Sequence, residues 1–215
     1  MKYIILPLLM ISSLMGHSQA DQFHIDLQPD EKNTTYFDPK YKPDVLKAFQ
    51  LANFIFNSKA FQEEIRSIQL NYNSYCPQHR QPGRSGQISG EEILKRLFKE
   101  KQVLIAMHLK KSGGALGETS DSSYHTTAWH DNIVADMPEL PFAYGLAVNL
   151  CHEYMHQVGF CHLYCTAWIC KGNRLKEPKG GKEPDPVFFN KDVTYRVGWI
   201  AYYHILKNST ISESH

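Results

Sequence analysis

The feature that most limits this chain is the run HEYMHQVGFCH at residues 152–162. His152 and His156 stand four apart, so a helix presents both on one face, about one turn apart. Both imidazoles then reach the same metal ion. Glu153 points to the side, where it meets a water held by the metal without ligating the metal itself. Gly159 permits the positive φ that ends a helix and turns the chain. That turn brings His162 back as a third nitrogen ligand. Three protein ligands leave a fourth position open, which separates a catalytic zinc site from a closed structural one. A helix of merely solvated histidines gives no reason for the glycine or for His162.

The rest of the chain sets the context. Residues 1–20 read as an export signal: Lys2 supplies the positive start, 3–15 are apolar, and Ser18-Gln19-Ala20 is a small-x-small cleavage site. Cleavage there leaves one domain, 21–215, in a secreted or periplasmic setting and without a membrane anchor. Lys+Arg 23 against Asp+Glu 22 is near neutrality, which argues against nucleic-acid or membrane-surface binding. All five cysteines, Cys76, Cys151, Cys161, Cys165 and Cys170, follow the signal, and export favours disulfides. Their odd number leaves a thiol over, and connectivity cannot be read from spacing. The clustering favours Cys165 or Cys170 in a bridge, with Cys151 buried in helix packing. A rival grouping is a small structural zinc site of Cys161, His162, Cys165 and Cys170, which fits common zinc-ribbon spacing poorly.

Periodicity organises the chain coarsely. Residues 21–39 read as a polar extended arm. Apolar residues at helical spacing over 43–70 predict a helix, with a break near Asn57-Ser58. Ser89 and Glu92 form a capping box for a helix over 90–100. The run QVLIAMHL at 102–109 predicts a buried strand, and 124–134 a strand or hairpin. Pro141 suits the first turn of the metal helix. A long polar loop fills 163–192, and 193–206 predicts a closing helix. Helices and strands are mixed without repeats, which gives an α+β domain.

At residues 152–162 the chain resembles the metzincin zinc endopeptidases, whose motif is H-E-x-x-H-x-x-G-x-x-H. The resemblance implies a zincin fold: a small mixed sheet and helices above the zinc-binding helix, and an irregular C-terminal subdomain ending in a helix. It also implies one catalytic Zn²⁺ on His152, His156 and His162. A peptide or protein substrate would lie along an edge strand, for which 124–129 is the candidate. Metzincins place a methionine in a tight turn beneath the zinc, after the third histidine. Here the last methionine is Met155, and only Val193-Thr194-Tyr195 stands where such a turn would fall. In some metzincins a tyrosine just past that turn is an extra zinc ligand. Tyr195 occupies that place, as a fifth ligand, an oxyanion stabiliser or a core tyrosine.

The chemistry expected is hydrolysis of internal peptide bonds, with Glu153 as general base to the attacking water and then as acid to the leaving amine. Two other readings stay open: a zincin-fold binding protein without turnover, and a zinc amidase acting on cell-wall peptides. His125 and His130 are five apart, so a straight strand turns them to opposite faces. Asp21, Asp26 and Asp30 in the arm are candidates for capping the metal in a latent form.

Overall fold

The computed structural model describes residues 23–71, 75–76, 87–119, 124–162 and 192–212. The expected export signal and most of the loops at 76–86 and 163–192 lie outside these residues. Along the chain, β1 (Asp26–Pro29) and β2 (Thr35–Tyr36) lead through a short 3-10 turn (Pro39–Tyr41) into α1 (Lys42–Phe56) and α2 (Lys59–Arg66). Next come β3 (Gln69–Asn71), β4 (Gln87–Ser89), α3 (Gly90–Leu97) and β5 (Gln102–Lys110). Last are β6 (Gly117–Thr119), β7 (His125–Trp129), α4 (His130–Asp136), α5 (Phe142–Gln157) and α6 (Val193–Ser212). The result is a mixed α+β fold with a small mixed sheet.

β5 is the spine of that sheet, whose order is β1-β5-β7-β6, with β2 also on β5. β1, β2 and β7 run parallel to β5, and β6 runs antiparallel to β7. The run at 102–109 is the buried strand its sequence predicts: Val103, Ile105, Ala106, Met107 and Leu109 are buried, while Leu104 is 54% exposed.

The arm expected at 21–39 is a structural part of the sheet. One side of β1 pairs with β5. On its other side, Asn53 of α1 and Asn57, which caps the C-terminus of α1 one turn later, hydrogen-bond the backbone N–H and carbonyl groups of Ile25 and Leu27 at 2.7–2.9 Å. Two amide side chains thus act as a further strand and close the sheet's edge. Periodicity could not reveal this, because β1 is only DLQP. The helix over 43–70 does break at Asn57-Ser58, where the Ser58 hydroxyl caps α2 by accepting from Phe61 N. Ser89 caps α3 in the same way through Glu92 N. The stretch 124–134 is corrected: the strand ends at Trp129 and α4 follows, with Asp131 favourably placed in its first turn.

α5 lies against α1, α6 and β6, the neighbours that position the metal motif. It is buried almost all round, from Leu146, Ala147 and Leu150 to Tyr154 and Met155, as expected of a helix enclosed by other elements. Among the described residues no helix is long and apolar enough to cross a membrane.

Candidate metal centre

The C-terminus of α5 ends in a Schellman motif. Phe160 N donates to Met155 O at 3.0 Å and Gly159 N to His156 O at 3.1 Å, with Gly159 at φ 98°. Among the described residues Gly159 is the one with positive φ, as the sequence predicts. The turn points His162 back toward the helix. The ligating atoms of His152, His156 and His162 all lie within 4.8 Å of one another, and their ring centroids are 4.7–5.2 Å apart.

Each ring is also held from behind. His156 Nδ1 donates to Phe160 O at 2.8 Å, which leaves Nε2 for a metal. His162 Nδ1 lies 3.0 Å from Asp192 Oδ2 and 3.1 Å from Thr194 Oγ1. The His152 ring is backed by Gly198 of α6, where a Cβ would lie 3.5 Å from His152 Nδ1. Burial, and then the nearby His162 and His156, hold His152 well below the usual imidazole value, which keeps it neutral and able to ligate. Asp192 is buried, which raises its pKa, but hydrogen bonds from His162 and Thr194 outweigh this and keep it a carboxylate. Three converging imidazoles, two of them with outward partners on Nδ1, fit a zinc ion.

Glu153 is 3% exposed and beside the cluster. Burial raises its pKa to about 7, against the opposing pull of a hydrogen bond from Thr119. Thr119 Oγ1 donates to Glu153 Oε2 at 2.7 Å. Behind it Thr119 Oγ1 lies 3.1 Å from Thr126 Oγ1, which accepts from Gln157 Nε2 at 3.0 Å. The chain of donors runs from Gln157 through two hydroxyls to the carboxylate. A carboxylate tuned near neutrality is suited to accepting and returning a proton at physiological pH.

Tyr195 stacks on His162 with centroids 4.4 Å apart and lies 5.1 Å from His152. Burial, with Asp192 and Glu153 adding to it, raises its pKa to about 12, so the group next to the histidines is a neutral phenol.

The strand expected to bind substrate is corrected. β7 is paired on both sides, by β5 and β6. Among the described residues the edge on this side is β6, and it approaches Glu153 so closely that a Cβ on Gly117 would fall 2.4 Å from Glu153 Oε1 and 2.7 Å from the Asn149 amide. β6 is GET, too short to show alternation within its turn-rich surroundings. Thr119 and Asn149 carry no motif and are functional candidates found only from the structure. Asp192 left a faint signal, an aspartate two residues before a threonine at a helix start.

Other candidates lie elsewhere. His125 pairs with His108, Nδ1 to Nε2, at 3.4 Å, while His130 bonds Asp131 and packs between Tyr41 and Phe142. Asp26 accepts from Gln28 and Asp30 from Asn33, so both carboxylates are engaged in β1 and its turn. The disulfide joins Cys76 to Cys161, next to His162, and Cys151 is a buried free thiol. Cys161 is therefore not available as a thiolate to the rival zinc grouping, and Cys165 and Cys170 lie outside the described residues. Around the bridge Tyr75 stacks on Phe160 at 5.1 Å, under the Arg96 guanidinium.

No family model, curated protein or solved structure matches the chain. The functional reading therefore rests on the residues of the site.

Proposed function

We propose that the chain is an exported zinc-dependent endopeptidase of metzincin type, with His152, His156 and His162 as ligands and Glu153 as general base. The observation that carries this reading is the convergence of three imidazoles beside a buried carboxylate. When bound, zinc supplies a water made acidic toward pKa ~7 and a Lewis acid for the scissile carbonyl.

The chain's own residues supply the rest. Glu153 Oε2 is held by Thr119, which keeps that oxygen in place and leaves Oε1, beside Gly117, to take the proton of the attacking water. With its pKa near neutrality, Glu153 then returns the proton to the departing amine. The Tyr195 phenol, stacked on His162, is placed to donate to the oxyanion of the tetrahedral species. Among the described residues β6 offers an open strand edge next to these groups. An extended peptide adding to it would bring its carbonyls past Glu153, which favours a peptide substrate.

The test is digestion of a denatured protein such as casein by the purified chain, its Glu153→Ala variant and a chelated control. Digestion restored by zinc after chelation, and missing in the variant, is expected. Zinc bound without cleavage of any protein would favour the amidase or the binding protein. Full activity in Glu153→Ala would remove the assigned base.

A further inference from the structure

One carboxylate serves both α6 and the histidine cluster. Asp192 Oδ1 accepts from Thr194 N at 2.9 Å, from Thr194 Oγ1 at 2.7 Å and from Tyr195 N at 3.4 Å, so it is the N-cap of α6. Its other oxygen, Oδ2, is 3.0 Å from His162 Nδ1. A carboxylate can only accept, so His162 Nδ1 carries the proton. The Thr194 hydroxyl agrees: its proton is committed to Asp192 Oδ1, so toward His162 Nδ1, 3.1 Å away, its oxygen accepts as well. Nε2 of His162 is thereby left as a lone pair for the point where the other two histidines converge.

We propose that Asp192 is a positioning residue that fixes the tautomer and direction of His162 and fastens the metal centre to the first turn of α6. This rests on the zinc reading of the site. The same turn makes further contacts that agree: Tyr195 stacks on His162 and its ring lies 5.1 Å from that of His152. Asp192, Val193 and Thr194 are all buried there, so the turn is a fixed floor for two of the three ligands. Histidine ligands fixed by an outer carboxylate lose metal affinity when it is changed, by about 10–100-fold.

Asp192→Asn separates the cap from the tautomer lock. Its amide oxygen keeps the N-cap, since asparagine caps helices as well as aspartate does. Its NH₂ then faces His162 Nδ1, donor against donor, and favours the tautomer whose Nε2–H cannot ligate. Zinc affinity is measured by competition with a chromophoric chelator on the full chain, alongside urea unfolding of the metal-free protein. The expected result for Asp192→Asn is affinity about 10–100-fold weaker with an unchanged metal-free midpoint. Asp192→Ala loses the cap too and lowers both. In the cobalt-loaded chain, Asp192→Asn should also weaken the visible bands of a tetrahedral site. Wild-type affinity in Asp192→Asn, or a loss that only tracks a lower metal-free midpoint, overturns the proposal. Failure of the unaltered chain to bind zinc overturns the zinc reading itself, and the positioning role with it.

Discussion

Thr119 Oγ1 donates a 2.7 Å hydrogen bond to Glu153 Oε2, joining the sheet's edge strand to the metal helix at the group assigned the proton transfers. Replacing Thr119 by valine removes the donor and keeps the shape. A hydrogen bond to a charged group contributes about 1.5–3 kcal/mol. Its loss disfavours the carboxylate, so the acid limb of the pH–rate profile for peptide hydrolysis moves up by about one unit. Zinc content stays at the wild-type level. The pH profile of kcat/KM for Thr119→Val is the check.

Gly117 meets the same carboxylate from the strand side. A methyl group there would lie 2.4 Å from Glu153 Oε1, with the Asn149 amide at 2.7 Å, and neither is an exposed flexible end. Gly117→Ala therefore pushes β6 off α5 and costs about 1–3 kcal/mol. Urea unfolding reads the loss. Activity falls further than stability explains, because Glu153 moves with the strand.

Glu153 also sets a pH dependence in the metal-free chain. Its pKa is about 7 when folded, against 4.5 for a free glutamate side chain, with burial as the main cause. Between those values the folded state holds the proton that the unfolded state has lost. Stability is highest below the unfolded value, falls as pH rises through the window, and levels above the folded value. The drop is on the order of 3 kcal/mol. Glu153→Gln carries no charge to bury and flattens the slope. Urea midpoints of both chelated proteins near pH ~5 and ~8 measure it.

α5 and the turn after it are legible in the sequence because their information is local: two histidines at helical spacing, the acid beside the first and a turn glycine fall in one run, and Gly159 takes the positive φ expected. The helix break at Asn57-Ser58 and the Ser89 cap are local too. What sequence patterns do not show is tertiary. Thr119 reaches Glu153 across 34 positions and Asp192 reaches His162 across 30, from segments without periodicity of their own. β1 passes for an irregular arm because half of its backbone partners are the side chains of Asn53 and Asn57. The space beside the histidines is taken by Asp192, Thr194 and Tyr195, which hold the rings through hydrogen bonds and stacking.

The Cys76–Cys161 bridge ties the segment after β3 to the residue before His162. Opening it frees a loop of 85 residues in the unfolded chain and lowers stability by about 2–4 kcal/mol. The Tyr75–Phe160 stack and the Cys76 N to Gly159 O bond hold the same junction and keep it partly in place. Cys76→Ala with Cys161→Ala should therefore still bind zinc, more weakly, with a lower thermal midpoint. Calorimetry of the double variant with and without zinc tests this.

The central claim is a single zinc ion on three imidazoles. X-ray absorption at the zinc edge of the purified, zinc-loaded chain tests it most directly. The expected result is one zinc per chain, with nitrogen and oxygen neighbours at about 2.0–2.1 Å, an imidazole scattering pattern and no sulfur. A chain that retains no zinc, or a sulfur shell near ~2.3 Å, would contradict it.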